Sequence, residues 1–320
     1  MSTDEKVYEL DYNKMNNQKS QTNNEKNERK SVHIDQKRID RRILINQISG
    51  KVFFSSTLFA LLVLSILLYR IFSQSIGWLD LHFLTSKLSI FPEKAGIYGV
   101  IIGSLGLMAV VIPVTLVLGV STAIYLEEYA GKSRVQNLIK VNISNLASVP
   151  SVIFGLLGLA LFGRFFKLGS SILAGGLTLS LLVLPIVVVS SQEALKAVPG
   201  FLREASYAMG ASKWTTIRKV VLPVAIPGIL TGAILSISRA IGETAPLVVL
   251  GIPALLLKVP TNLMDDFTAL PIQIYYWTLD TVLTPEYANL AAATIVVLLI
   301  TLFLMNSIAI IIRNKSQKGF

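Results

Sequence analysis

The 320-residue chain contains no cysteine. Disulfide staples, thiolate metal sites and cysteine nucleophiles are therefore excluded, and the redox compartment stays open. Histidine is nearly as scarce: His33 sits in a polar N-terminal stretch and His82 in a predicted loop, so a histidine-based catalytic centre is not expected. Only 15% of residues are charged, against about a quarter in an ordinary soluble domain. No Gly-x-x-x-x-Gly-Lys-Ser/Thr phosphate loop occurs. The nearest approach, Gly210-Ala211-Ser212-Lys213, lacks the second glycine and a preceding strand, so the chain has no evident ATP site of that kind. Sustained alternation of period two is missing too, which argues against an outer-membrane barrel.

What is present in abundance is apolar surface. Hydrophobic residues make up 52% of the chain and the mean hydropathy is +0.62. About 20 apolar residues cross a bilayer as a helix. Six segments meet or approach that length: 52–73, 97–126, 143–166, 169–191, 224–252 and 288–312. The second and fifth exceed one crossing, which predicts tilt, a kink or extension beyond the lipid. The expected class is an all-α polytopic membrane protein with six transmembrane helices.

Residues 1–48 are a different polymer, rich in Asn, Lys, Gln, Glu and Asp and too polar to fold alone, so a disordered basic tail is expected. The first apolar run begins too far from Met1 for a signal peptide and reads as a retained span within 49–94. Arg29, Lys30, Lys37, Arg38, Arg41, Arg42 and Lys51 form a basic cluster suited to fixing topology and touching anionic lipid. The net charge of +10 does not imply nucleic acid, because the basic residues gather in this tail and in alternate loops. The loops near Lys132, Arg134 and Lys140, and near Lys196, Arg203, Lys213, Arg218 and Lys219, are basic. The loop with Asp265, Asp266, Asp280 and Glu286 is acidic, and the chain ends on Arg313, Lys315 and Lys318. Apart from Arg164 and Lys167 in a tight turn, this pattern predicts cytoplasmic termini, including 313–320. Tyr275-Tyr276-Trp277, in the external fifth loop, suits an interfacial aromatic belt.

The most structured polar interruption runs from Glu193 to Pro223. Pro199-Gly200 ends the preceding segment, Phe201 to Met209 favour a helix, and Gly210 can adopt the left-handed conformation that terminates one. Ser212 is suited to cap a second turn that carries Lys213, Arg218 and Lys219 and closes at Leu222-Pro223. Ala205, Ser206 and Ala208 permit close approach, and Leu202, Tyr207, Met209 and Trp214 offer apolar surface. Two readings are open: an amphipathic helix resting on lipid headgroups, or a docking element for a cytoplasmic partner.

Within the predicted fifth span, Arg239 and Glu243 lie four residues apart, on one helix face. A charge at membrane depth costs roughly 2.5–3.5 kcal/mol on insertion scales unless it is paired or faces water. The two form either a neutralised packing pair or a site where Arg239 lends charge to an anion pathway and Glu243 positions it. Ser148, Ser151, Ser236, Ser238 and Thr244 are candidate pathway hydroxyls.

Glu204-Ala205-Ser206, Gly210 and Val220-x-Leu222-Pro223 resemble the Glu-Ala-Ala loop of ABC importer permeases, the binding-protein-dependent transport inner-membrane component family. Ser stands for the second Ala and Val for Ile, with the family's spacing kept throughout. Ser238-Arg239-Ala240-Ile241-Gly242-Glu243-Thr244-Ala245-Pro246-Leu247 and Asn145-Leu146-Ala147-Ser148-Val149-Pro150-Ser151-Val152-Ile153-Phe154-Gly155-Leu156 resemble phosphate-specific, PstA-type members. The resemblance covers about 95–312, taken as the permease core. It implies a type I ABC importer (MetI-like) permease fold, with Glu204, Ala205, Ser206, Gly210, Leu222 and Pro223 in a loop that couples to an ATPase. Arg239, Glu243, Thr244 and Ser238 are then the pathway candidates. It further implies phosphate as substrate, a PstC-like second permease, a PstB-like ATPase dimer that holds ATP and Mg, and an external PstS-like phosphate-binding protein. This chain itself is expected to bind no cofactor or metal and to catalyse nothing. A permease for sulfate, molybdate or tungstate is the same-class alternative, and an ATPase-independent channel or transporter the different-class one.

Overall fold

The computed structural model describes residues 36–131, 133–256 and 258–317. Expectations placed on Arg29, Lys30, His33 and the rest of 1–35, and on Lys132 and Lys318, fall outside these residues. The described residues are helical, with no strand and one isolated antiparallel bridge, Ser171 to Asp266.

The chain divides into two units, Met1–Leu67 and Leu68–Phe320. The first is described from residue 36 on as part of helix α1, Gln36–Ser75, with apolar side chains such as Phe53 and Phe59 exposed. The helix starts well before the predicted span, so 36–48 is not disordered as expected. No proline or glycine occurs between Gln36 and Ser49, and a helix nucleated in the apolar segment propagates back through residues of good propensity.

The second unit continues with α2 (Leu81–Thr85) and α3 (Tyr98–Ile124), the latter prolonged by a π-turn, Tyr125–Tyr129. Next come α4 (Arg134–Leu146) and α5 (Ser151–Gly158), which a second π-turn extends through Phe165. Helix α6 is Ile172–Lys196, α7 is Gly200–Ala208 and α8 is Lys213–Thr216. A third π-turn, Ile217–Val221, runs on into α9 (Leu222–Ile241). The chain finishes with α10 (Ala245–Leu250), α11 (Leu270–Asp280) and α12 (Tyr287–Gln317).

Five stretches are long and apolar enough to span: Asp40–Ser75, Tyr98–Tyr129, Ile172–Lys196, Lys213–Ile241 and Tyr287–Lys315. The predicted third span, 143–166, is not one rod. It breaks at Pro150, where α4 and the Ser151–Phe165 helix meet at 101°. Proline denies the helix a donor and forces the residue before it out of the α region. The predicted fifth span, 224–252, is corrected at both ends. It begins in α8, because the π-turn carries the helix through Pro223 instead of closing there, and it stops at Ile241. A π-turn bonds i to i+5, so it absorbs the hydrogen bond that Pro223 cannot donate.

Helices α3 and α6 run side by side in the same direction. At one end Ile172 N–H reaches the Asp265 carbonyl and Leu270 N–H reaches Ser104 Oγ; at the other, both helices end near Arg203. The core between them is drawn from Leu107, Val111, Leu179 and Val183. Trp277 is not in an exposed belt. It is 3% exposed, its ring 6.2 Å from that of Phe83 and 6.4 Å from that of Tyr287, while Tyr276 donates to the Ile252 carbonyl and Tyr275 alone of the three stays exposed. The folded loop supplies the indole with partners, so its apolar area is buried.

Candidate coupling surface and membrane site

Helix α7 forms because Pro199 lies just ahead of its first turn, where its missing N–H costs nothing. It ends where Gly210 takes φ 77°, a left-handed conformation open to glycine at no steric cost. Ser212 then caps α8, its hydroxyl accepting from Thr215 N–H at 3.3 Å. The local signals of the sequence are thus realised as two short helices and a glycine break.

Successive positions of α7 divide between two faces. Phe201, Glu204, Ala205 and Ala208 are exposed, at the spacing of one helix face. Met209 at 88%, Trp214 and Tyr207 extend the same open surface. Leu202, Arg203 and Ser206 face inward. Leu202, expected to be exposed, instead packs against a cluster that contains Leu126, Leu195, Val198 and Val221. Ser206 Oγ lies 2.8 Å from Thr216 Oγ1, fastening α7 to α8. The surface is an apolar face on a held scaffold.

Arg203 does most of the holding. Its Nη2 donates to Glu128 Oε1 at 2.8 Å and to the Leu195 carbonyl at 2.9 Å; Nη1 donates to the Val198 carbonyl at 2.8 Å. Leu195 lies in the last turn of α6 and Val198 two residues past its end, where the helix dipole favours a cation. Glu128 is only 7% exposed. Its neighbour Glu127 pairs with Lys140 of α4 at 3.1 Å, and Lys213 lies 5.0 Å from the centre of the Tyr129 ring. Sequence reading counted Arg203 only as a loop charge and missed Glu128. The available signal was two adjacent carboxylates at the end of an apolar run.

The membrane site departs from its prediction in one respect. Helix α9 ends at Ile241, so Glu243 lies in the break Gly242–Thr244 and does not continue the helix face of Arg239. Pro246 and Gly242 flank that break and explain it. The pair nevertheless forms, Arg239 Nε to Glu243 Oε1 at 3.1 Å. Glu243 is 17% exposed and lines a pocket with Ser104, Met108, Leu179 and Thr301, whereas Arg239 is 53% exposed. Ser104 and Met108 are six and ten residues into α3, about 9–15 Å from its start at 1.5 Å per residue. The pair therefore lies inside the length of the bundle.

Thr244 is half-buried beside Glu243. Ser238 donates to the Ile234 carbonyl at 2.7 Å and lies 2.6 Å from Asn306 Oδ1 of α12, so the structure ties it to a neighbouring helix and not to Arg239. Ser236 is buried and bonded to the Gly232 carbonyl, which removes it from any open path. Asn306 was missed, although an amide deep inside the apolar run 288–312 was a legible signal. The two phosphate-permease-like motifs meet: a Cβ at Gly155 would stand 2.8 Å from Pro246 Cα, so α5 packs directly on α10.

At the opposite end of the bundle, the loop before α11 is fixed by Asp265. Its carboxylate accepts from Thr261 N–H at 2.8 Å, Asn262 N–H at 3.0 Å and Thr261 Oγ1 at 3.0 Å. Those backbone donors, Thr261 first, hold its pKa below the usual carboxylate value. Among the described residues no cluster of metal-ligating side chains occurs.

Residues 115–317 match the family described as binding-protein-dependent transport system inner membrane component. The phosphate transport system permease protein PstA 1 of Mycobacterium tuberculosis (strain CDC 1551 / Oshkosh) is 38% identical over 216 residues, covering 66% of this chain and 70% of that protein. The phosphate transport system permease protein PstA of Mycobacterium leprae is 37% identical over 271 residues, 81% of this chain and 86% of its own length. A solved bacterial ABC transporter involved in the import of the acidic polysaccharide alginate aligns with a TM-score of 0.58 over 87% of this chain and 99% of its own. At 14% identity that likeness shows the fold alone.

Proposed function

The chain belongs to the binding-protein-dependent transport system inner membrane component family, and on that premise we propose that it is the permease subunit of an ATP-driven ABC importer that brings inorganic phosphate into the cell. One observation carries the coupling role: the folded element Gly200–Val221 holds Phe201, Met209 and Trp214 outward at one end of the bundle, in a chain with no phosphate loop of its own. An apolar face held on a fixed scaffold is what a docking partner buries. Loop charges support placing that end, and both termini, in the cytoplasm; the cell is taken to be prokaryotic, as the relatives' sources are.

The partners are a PstB-like ATPase dimer seated on α7, a PstC-like second permease and an external PstS-like binding protein. ATP, with Mg, binds in the ATPase and closes it. That closure moves α7 and biases a two-state bundle toward its outward-open arrangement. Hydrolysis resets it. Arg239 supplies positive charge where phosphate passes, and Glu243 orients the guanidinium while keeping it neutralised between passages. Phosphate, as against another oxyanion, is supported by the names of the relatives and by the residues Ser238–Leu247.

The test is the double change Glu204→Ala with Gly210→Asp, which alters the exposed face without touching the Arg203 contacts. A Cβ at Gly210 meets nothing within 4 Å, but its φ of 77° strains any L side chain, so Gly210→Asp acts on the turn between α7 and α8 as well as on the exposed face. ATP hydrolysis should persist while phosphate uptake is lost. Normal uptake by the assembled variant would remove the coupling role.

A further inference from the structure

The guanidinium of Arg203 joins three elements that are remote in sequence: its own helix α7, the C-terminal end of α6 and, through Glu128, the end of α3. We propose that Arg203 and Glu128 are the positioning pair through which α7 drives the span Tyr98–Tyr129, and that this span carries the movement to the Arg239–Glu243 site. The proposal rests on the coupling role assigned to α7 and specifies how its displacement leaves the docking surface.

Three observations support it. First, Arg203 spends four donor contacts inward, on one carboxylate oxygen and two carbonyls, and its side chain is 21% exposed. Four of its five N–H donors are thus spent inside the chain. A planar fork holds direction as well as distance, which a lysine ammonium does not. Second, the π-turn at Tyr125–Tyr129 is a hub. Glu127 goes to Lys140 of α4, Glu128 to Arg203 of α7, and the Tyr129 ring to Lys213 of α8. Helices α4, α7 and α8 are thus each tied to the end of α3. Third, the other half of α3 reaches the membrane site. Ser104 and Met108 line the pocket of Glu243, and Ser104 Oγ accepts Leu270 N–H from the loop at the far end. Residues 104 and 128 are 24 apart in a helix that continues through Pro113, so one element spans about 36 Å between the two sites.

A pair that only braced the fold would fail differently from one that transmits movement. The discriminating quantity is phosphate moved per ATP hydrolysed, measured with radiolabelled inorganic phosphate in proteoliposomes holding the whole transporter, and normalised to assembled complex. Arg203→Gln and Glu128→Gln should each lower that ratio about tenfold, a usual size for coupling between sites, while hydrolysis continues. Arg203→Lys should give an intermediate loss. The exchange Arg203→Glu with Glu128→Arg should recover only part of the ratio, because a carboxylate at 203 restores the ion pair but cannot donate to the Leu195 and Val198 carbonyls. A wild-type ratio in both single variants overturns the proposal; so does failure of every variant, the exchange included, to assemble with the ATPase, which would make the pair a brace. The Glu204→Ala, Gly210→Asp variant in the same assay separates the two levels. If it uncouples and the Arg203 variants do not, the pair is wrong; if none uncouples, the role given to α7 is wrong.

Discussion

Arg239 and Glu243 show what a residue-scale pattern does and does not reveal. Their spacing announced an ion pair, and the pair forms at 3.1 Å. The helix face on which that expectation stood ends at Ile241, however, and the contact survives because the break after Gly242 turns Glu243 back toward the guanidinium. The exposures are unequal, 53% for Arg239 and 17% for Glu243. A pair retained only to neutralise charge would bury both members alike, since each uncompensated ion at membrane depth is costly. Arg239→Ala and Glu243→Ala should both impair phosphate uptake. Exchanging the residues, Arg239→Glu with Glu243→Arg, should leave it impaired, because the cation then sits in the enclosed pocket and the anion on the open side. Restoration of uptake by the exchange would mark the pair as packing alone. Ser104, Glu128 and Asn306 went unassigned for a common reason: each acquires its role from a partner on another helix, Leu270 N–H, Arg203 and Ser238 respectively.

At the scale of elements, the caps and the glycine break of α7 and α8 were read correctly and the ends of the spans were not. Proline before α7, the glycine after it and the serine cap of α8 are each a few residues from the backbone groups they satisfy, so 193–223 was legible as two helices. The extent of the predicted third span was not. Apolar composition continues through Pro150 on both sides, and hydropathy alone cannot distinguish a straight crossing from a 101° bend. Trp277 fails similarly, because its burial depends on Phe83, almost two hundred positions earlier. The contact between α5 and α10 is the sharpest packing feature the sequence concealed. Gly155 meets the backbone of Pro246, which cannot step aside as a flexible side chain can. Gly155→Val should therefore destabilise the bundle by at least about 1–3 kcal/mol, the range for overpacking, seen as a lowered thermal midpoint of the detergent-purified complex and reduced uptake. A wild-type midpoint would contradict the direct packing of the two motifs.

The whole molecule is an incomplete machine. It offers helices long enough to span, an ion pair within the bundle and an exposed apolar face at one end, and the proposal assigns the energy source to a partner. Composition made the membrane class legible, and the spacing from Glu204 to Pro223 made the family legible, because that motif is written into contiguous residues. The route from α7 through α3 to Glu243 was not legible, since it runs through side chains far apart in sequence. The central claim is that ATP hydrolysis in a partner drives import through this chain. Its most direct test is phosphate accumulation in proteoliposomes that contain the complete transporter, with the phosphate-binding protein on one side and ATP on the other. Accumulation should require ATP, and a hydrolysis-deficient ATPase should abolish it. Equal phosphate entry with and without ATP would contradict the account and make the chain a channel.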